Sequence, residues 1–504
     1  MENKILDVLI VGAGLSGIGA AVHLTKKCPG KSFAIVEARE RLGGTWDLFR
    51  YPGIRSDSDM YTLGYNFKPW TARRAIADAP SILEYLNETV DEYGLQDKIL
   101  FNNKVVDANW SSEEALWTVS LQRGDGSIDT VKCNFLHMCS GYYSYEEGHN
   151  PDFPGKADFA GPIVHPQFWP EDLDYSGKKV VVIGSGATAV TLIPSMAETA
   201  EHVTMLQRSP TYIVSRPGED KWALRFRKFL PAKLAYLLTR WKNVLMGIFM
   251  FNLARKKPAA FKGRLLEMVR EEMGPDVDMT NFTPSYNPWD QRLCLVPDSD
   301  LFDSIKSGKA SIVTDHVETF TKNGIKLKSG KTLEADVIVT ATGLKMLTGG
   351  SATISVDGKL VKFGDKINYK GVMFSGIPNF GMTMGYTNAS WTLKADLTSE
   401  YVCRLINYMD KNGTPIATPT LPADGLIGTE PMLDFSSGYV QRAIKNLPKQ
   451  GDRKPWRLNQ NFPKDIINLR HKAVDDGVMV FSKPGAAIYR MPTKQVETDT
   501  IAAE

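Results

Sequence analysis

Two glycine-rich turns carry the most chemical information in the chain. The apolar run Val8-Leu9-Ile10-Val11 leads into Gly12-Ala13-Gly14-Leu15-Ser16-Gly17, and Ile18, Ala20, Ala21 and Leu24 then recur at helical spacing. A G-x-G-x-x-G at a strand-to-helix turn is built to hold a pyrophosphate. Gly12 permits the tight turn, Gly14 lets the backbone approach the phosphates, and Gly17 lets helix and strand pack closely. The free N–H groups and dipole of the helix N-terminus favour negative charge there. The next strand, Ser32 to Val36, ends in Glu37, a carboxylate placed to accept hydrogen bonds from both hydroxyls of an adenosine ribose. The second copy runs Val180-Val181-Val182-Ile183, then Gly184-Ser185-Gly186-Ala187-Thr188-Ala189, and its following strand, His202 to Leu206, ends in Gln207-Arg208-Ser209. Arg208 stands where Glu37 stands in the first copy. A guanidinium suits a ribose 2′-phosphate, which a carboxylate would repel. The two loops therefore read as sites for different ligands, FAD at the first and NADP at the second. An acid-ended fold followed by an arginine-ended one points to a flavoprotein that takes electrons from NADPH.

These loops require two βαβ units, so the expected fold is α/β with two Rossmann-like dinucleotide-binding domains. Small-residue strand exits at Ser140-Gly141, after Asn134 to Cys139, and at Thr340-Ala341-Thr342-Gly343, after Ala335 to Val339, mark where the chain leaves the first domain and returns to it. The NADP domain is thus inserted in the FAD domain. This reading assigns 1–150 and 344–504 to a discontinuous FAD domain, 151–175 to a linker, 176–217 and 276–343 to the NADP domain, and 218–275 to a basic helical insert. The 504 residues leave room for about three domains.

Composition narrows the class. With 43% hydrophobic and 23% charged residues, the chain is neither disordered nor coiled-coil. The five cysteines are scattered without a C-x-x-C pair, which argues against a disulfide framework, a zinc ribbon or a dithiol flavoenzyme, and no metal site is expected. The N-terminal residues run straight into a strand, so a cytoplasmic protein is expected. The net charge of +3 hides an asymmetry: residues 221–266 hold twelve Lys and Arg and no acid, leaving −9 for the remainder. Leu234, Leu237, Leu238, Trp241, Leu245 and Ile248 within it follow helical spacing. Such a segment suits either a cap over the substrate cleft or peripheral contact with an anionic membrane surface. No reader motif accompanies the charge, so no nucleic acid partner is expected.

The linker contains Phe159-Ala160-Gly161-Pro162-Ile163-Val164-His165-Pro166-Gln167-Phe168-Trp169-Pro170, or F-x-G-x-x-x-H-x-x-x-W-P. This string resembles the fingerprint of type I Baeyer–Villiger monooxygenases in the flavin-containing monooxygenase superfamily. The related N- and S-oxygenases carry a similar string that usually lacks the final Trp. The resemblance spans nearly the whole chain through Gly43-Gly44-Thr45-Trp46-Asp47, Arg50 to Tyr61, Asn287 to Leu293, Tyr386 to Thr392 and Pro455 to Asn461, which look like the ethionamide-activating branch. It implies insertion of one atom of O2 beside a ketone carbonyl, giving an ester or lactone through an oxygen adduct of the flavin. S-oxygenation of thioethers and thioamides is implied as well. The resemblance makes Arg292 a fixed cation at the reacting centre and Asp57 the carboxylate that orients it. It lines the flavin with Ser16, Thr45, Trp46, Asp47, Asp57 and Val105, and adds Arg55 on the NADP side. His165 and Trp169 are expected to couple domain movement rather than make bonds. Trp391 and Tyr386 are equally candidates for substrate wall and for core. Many relatives have Lys where this chain has Gln291, so preference for NADPH is expected to rest mainly on Arg208. Two other readings remain open: a flavin N/S-monooxygenase with little carbonyl activity, and a flavin-binding module that does not oxygenate.

Overall fold

The computed structural model describes residues 5–485 except 292, 423–426 and 434. The chain opens with β1 (Leu6–Val11), α1 (Leu15–Lys27) and β2 (Phe33–Val36), and continues through β3 (Ile99–Leu100), β4 (Asn103–Ser111), β5 (Leu116–Arg123) and β6 (Ile128–Met138). β1 lies between β2 and β6, parallel to both, and β3 extends the parallel run beyond β2. Burial on both faces explains why β1 reads as an unbroken apolar run rather than an alternating one. The antiparallel meander β4–β5–β6 completes the other half of a nine-stranded sheet.

A linker strand, β7 (Tyr143–Gly148), leads out of this sheet. β8 (Ile163–Val164), β9 (Lys179–Ile183), α2 (Ala187–Met196) and β10 (His202–Gln207) follow. Three helices interrupt the second sheet: α3 (Lys221–Phe229), α4 (Ala232–Lys256) and α5 (Pro258–Met273). β11 (Ala310–Thr314) and β12 (Val337–Thr340) then complete a five-stranded parallel sheet in the order β11-β10-β9-β12-β8. β13 (Leu344–Met346) pairs antiparallel with β7, so the outgoing and returning chains form one two-stranded connection. Strands Thr353–Val356, Lys359–Leu360 and Phe380–Met382 rejoin the first sheet, and α6 (Trp391–Asn412) packs on α1. The expected α/β architecture, with one dinucleotide fold inserted in the other and a helical excursion, is the fold observed.

His165 sits at the crossing between the domains. Its Nδ1 accepts from the Gln167 N–H, so Nε2 carries the proton and donates to the Gly343 carbonyl at 3.2 Å. Gly148 passes so close that a Cβ there would lie 2.2 Å from the imidazole. The fingerprint histidine therefore pins both linker strands.

The core of the first sheet also holds a buried ionisable group. His137 on β6 meets the Thr383 hydroxyl at 3.0 Å, and burial pushes its pKa down to about 4. The folded state thus resists protonation more than the unfolded chain does. Stability should be full above pH 6.5 and fall by about 3 kcal/mol as the pH drops toward 4. Thermal unfolding across this window should show a shallower slope for His137→Asn; equal slopes would remove His137 as the cause.

Candidate functional site

Both glycine loops are built on the same backbone crossing. In the first, the Gly12 N–H donates to the Val36 carbonyl at 2.8 Å, and a Cβ on Gly12 (φ +103°) would lie 2.8 Å from the Cys139 carbonyl oxygen. In the second, the Gly184 N–H donates to the Leu206 carbonyl at 2.9 Å, and a Cβ on Gly184 (φ +140°) would lie 2.3 Å from the Ala341 oxygen. Gly17 is tighter still, since its Cβ would fall 1.8 Å from the Gly12 oxygen. Gly14 and Gly186 are the N-caps of α1 and α2 and supply no capping side chain. The first-turn N–H groups are thereby left for a ligand.

Glu37 is 5% exposed, and its two oxygens accept from the N–H groups of Ala13 (2.7 Å) and Arg39 (3.0 Å). Burial raises its pKa, and the two N–H donors pull against that rise. The carboxylate is thus fixed beside Gly12 and Gly14, facing a cavity of about 1180 Å³. Ser16, Thr45, Trp46, Val105, Arg55 and Asp57 line the same cavity. Ser16 Oγ accepts from Trp391 Nε1 at 2.7 Å, and the Trp391 ring stacks on Tyr142 at 5.0 Å. Tyr386 lines the cavity as well, and its hydroxyl donates to the Asp465 carboxylate at 2.9 Å, beside Lys394.

Three of the expected residues have protein partners of their own. Asp47 does not line the cavity: its carboxylate is ringed by Arg39 (2.8 Å), Arg41 (3.3 Å) and Arg50 (2.9 Å), and so braces the loop below Trp46. The Gln207 side chain is 1% exposed and turns into the domain, donating to the Asn281 carbonyl and the Thr314 hydroxyl. Arg55 lines the cavity but is engaged in a two-pronged ion pair with Asp300, which ties its segment to the second domain. In the second loop, Gly186, Ala187, Arg208 and Ser209 are exposed, the Ser185 hydroxyl donates to the Ser209 carbonyl, Thr188 meets the Tyr51 hydroxyl, and Ala189 is core. Arg292 lies outside the described residues; Trp289 and Leu293, on either side of it in sequence, line the cavity.

Sequence reasoning missed one wall of the cavity. Ser140, Tyr142, Tyr143 and Tyr145 contribute to it, and Ser140 Oγ is shielded from solvent without a hydrogen-bond partner. Burial pushes Tyr145 up to about 12, with Glu37 nearby raising it further. The available signal was the Tyr142-Tyr143-Ser144-Tyr145 run directly after the strand exit. The residues present fit a dinucleotide at each loop. Gly12 and Gly17 leave no room for a Cβ without crowding the opposing backbone, Gly186 has nothing within 4 Å of where its Cβ would stand, and the Ser140 hydroxyl is unsatisfied.

A family model for flavin-binding monooxygenase-like proteins matches residues 75–348, and one for an NAD(P)-binding Rossmann-like domain matches residues 10–71. The chain belongs to the flavin-binding monooxygenase-like family. Within it the chain is EthA-like: it is 53% identical to the FAD-containing monooxygenase EthA of Mycobacterium tuberculosis, over 96% of this chain and 99% of that protein. It is also 49% identical to the probable FAD-binding monooxygenase AlmA of Acinetobacter baylyi, over 97% and 98%. Among solved structures, an oxidised steroid monooxygenase bound to NADP is similar at 26% identity and TM-score 0.70, over 83% of this chain and 88% of that one. OTEMO in complex with FAD and NADP shares the fold at 22% identity and TM-score 0.74, over 95% of this chain and 100% of that one.

Two alanine substitutions separate the loops. Gly17→Ala forces a methyl into the Gly12 carbonyl and should yield protein without bound flavin, read from visible absorbance per mole of protein. Gly186→Ala meets only open space in the protein, so fold and flavin content should survive while the NADPH Michaelis constant rises about tenfold or more. Unchanged NADPH kinetics in that variant would remove the loop from the cofactor site.

Proposed function

We propose that the protein is an FAD- and NADPH-dependent Baeyer–Villiger monooxygenase that inserts one atom of O2 beside a ketone carbonyl and also oxygenates thioethers and thioamides. The observation that carries this reading is one shared cavity, whose lining includes Gly12, Gly14 and Glu37 of the first fold together with Ala187 and Thr191 of α2. A flavin and a nicotinamide held by these two loops would face a common space.

When bound, the flavin supplies the two-electron activation of dioxygen that side chains cannot. The chain's own residues do the rest. Gly12 to Gly17 and Glu37 would hold the adenosine end, and Thr45, Trp46, Val105 and Ser16, with Trp391 bonded to Ser16 and stacked on Tyr142, would hold the flavin ring. Arg208, with the N–H groups above Gly186, takes the NADPH phosphates. Arg292 supplies a permanent positive charge where the carbonyl oxygen becomes negative during attack, and Asp57 orients it. Ile248, Met250, Phe251 and Leu293 line the cavity and exclude water.

Arg292→Ala should retain FAD and its reduction by NADPH yet lose ester formation by about 100-fold or more; ester formed near the wild-type rate would refute that role. Arg208→Ala should raise the Michaelis constant for NADPH far more than that for NADH, and equal changes would deny it the 2′-phosphate.

The same enzyme rests on an anionic membrane surface through residues 221–266. No helix among the described residues is long and apolar enough to cross a membrane. α4 instead carries apolar residues on both faces, with Ala235, Tyr236, Val244 and Ala254 buried. Thr239, Arg240 and Asn243 point inward, with the Arg240 guanidinium donating to the carbonyls of Tyr61 and Gly64. Leu234, Leu238, Trp241, Leu245 and Phe249 form an outward stripe about 22 Å long. Eight of the fourteen exposed large apolar side chains among the described residues fall between Trp222 and Phe249. A patch of this kind needs a cover. Exposed Lys228 and Lys233 stand at one end of the stripe and Arg255, Lys256 and Lys257 at the other. A second copy would bring like charges together, whereas anionic headgroups complement both ends. Holoenzyme should sediment with phosphatidylcholine vesicles that contain phosphatidylglycerol at low salt and be released by high salt. Absence of binding at low salt would end the membrane reading.

A further inference from the structure

The wall between the exposed stripe and the cavity is one helix thick. Leu245 and Phe249 are 56% and 60% exposed on the outer face of α4, while Gly247, Ile248 and Phe251 from the same turns line the cavity. Trp222 and Met246 belong to both surfaces: each is more than half exposed, and each lines the cavity. The apolar patch therefore runs unbroken into the cavity mouth. Glu219 and Asp220, the carboxylates at this mouth, are paired with Arg73 and Lys242, so neither presents an uncompensated charge to an anionic headgroup.

From this continuity, and resting on the membrane contact proposed above, we infer that the mouth at Trp222 and Met246 opens into the bilayer, so that a substrate with a long alkyl chain is loaded from the lipid phase rather than from water. Each methylene of an alkyl chain favours lipid over water about fourfold, so a long chain is scarce in water and concentrated at the lipid-facing mouth. Met246 is unbranched and adaptable, suited to a chain of variable length sliding past. The carbonyl end would enter first, toward Leu293 and Trp289, and the alkyl tail would trail along α4 into the membrane. Trp222, an amphipathic ring with the Arg225 guanidinium over its face at the patch edge, suits the headgroup level.

The test compares two vesicle types that present the same ketone. Holoenzyme is assayed with 2-tridecanone at one ketone-to-lipid ratio, in pure phosphatidylcholine vesicles and in vesicles that also contain phosphatidylglycerol. The free aqueous ketone is then matched, and only docking differs. The wild type should turn over the ketone about tenfold faster on the anionic vesicles. Leu245→Glu/Phe249→Glu, which changes only the outward stripe, should lose that difference while oxidising water-soluble 2-butanone at the wild-type rate. Wild-type enzyme that sediments with anionic vesicles yet works equally fast on both types would overturn loading from lipid and leave the membrane contact standing. Failure to sediment would overturn both. If the double variant has lost 2-butanone activity, the wild-type comparison alone decides.

Discussion

The site depends on backbone passing over backbone with no side chain between. Gly17 lies against the Gly12 carbonyl, and Gly12 and Gly184 lie against the carbonyls of Cys139 and Ala341, all closer than any Cβ would permit. Only this contact lets α1 and α2 start directly above the ends of their central strands, so that unsatisfied N–H groups point into the shared cavity. The position of Glu37 follows, because its carboxylate is anchored by the N–H groups of Ala13, inside the loop, and Arg39. One methyl group at Gly17 would therefore disturb the turn, the helix origin and the acid together.

A second layer of contacts holds the two folds in register. Arg55, from the connection between β2 and β3 of the first fold, pairs with Asp300 at the start of a helix in the second. Gly53 lies against α2, where a Cβ would come within 2.8 Å of Ser195 Cβ. His165 donates to Gly343 and crowds Gly148, which joins the outgoing strand to the returning one. Few contacts of this kind are needed to set the relation between the loops, and any domain movement during turnover must break or carry them.

The parts of this arrangement that were legible in the sequence are those set by local pattern. The two loops, the acid and arginine at the ends of their second strands, and the insertion of one fold in the other all follow from strand-turn-helix periodicity. Side-chain destinations were less legible, because partners distant in the chain decide them. Arg55 is claimed by Asp300, and Gln207 by Asn281 and Thr314. Asp47 is the exception, since its three arginines are neighbours in sequence and could have been read as a brace. The basic insert misled in another way. A uniformly positive segment reads as solvated, and most of its Lys and Arg are, yet Arg240 is buried, Arg227 donates to the carbonyls of Trp70, Thr71 and Ala72, and a row of large apolar side chains is left in water beside the exposed cations. Spacing identified an amphipathic helix, but not which face would turn inward.

The central claim is that reducing equivalents delivered at one glycine loop activate oxygen at the other, in a cavity that places the oxygen on a ketone. Holoenzyme supplied with NADPH, a ketone and oxygen-18 gas should give an ester bearing one labelled atom, with one NADPH consumed per ester and the second label in water. Oxidation of NADPH that yields labelled hydrogen peroxide and leaves the ketone unchanged would contradict it.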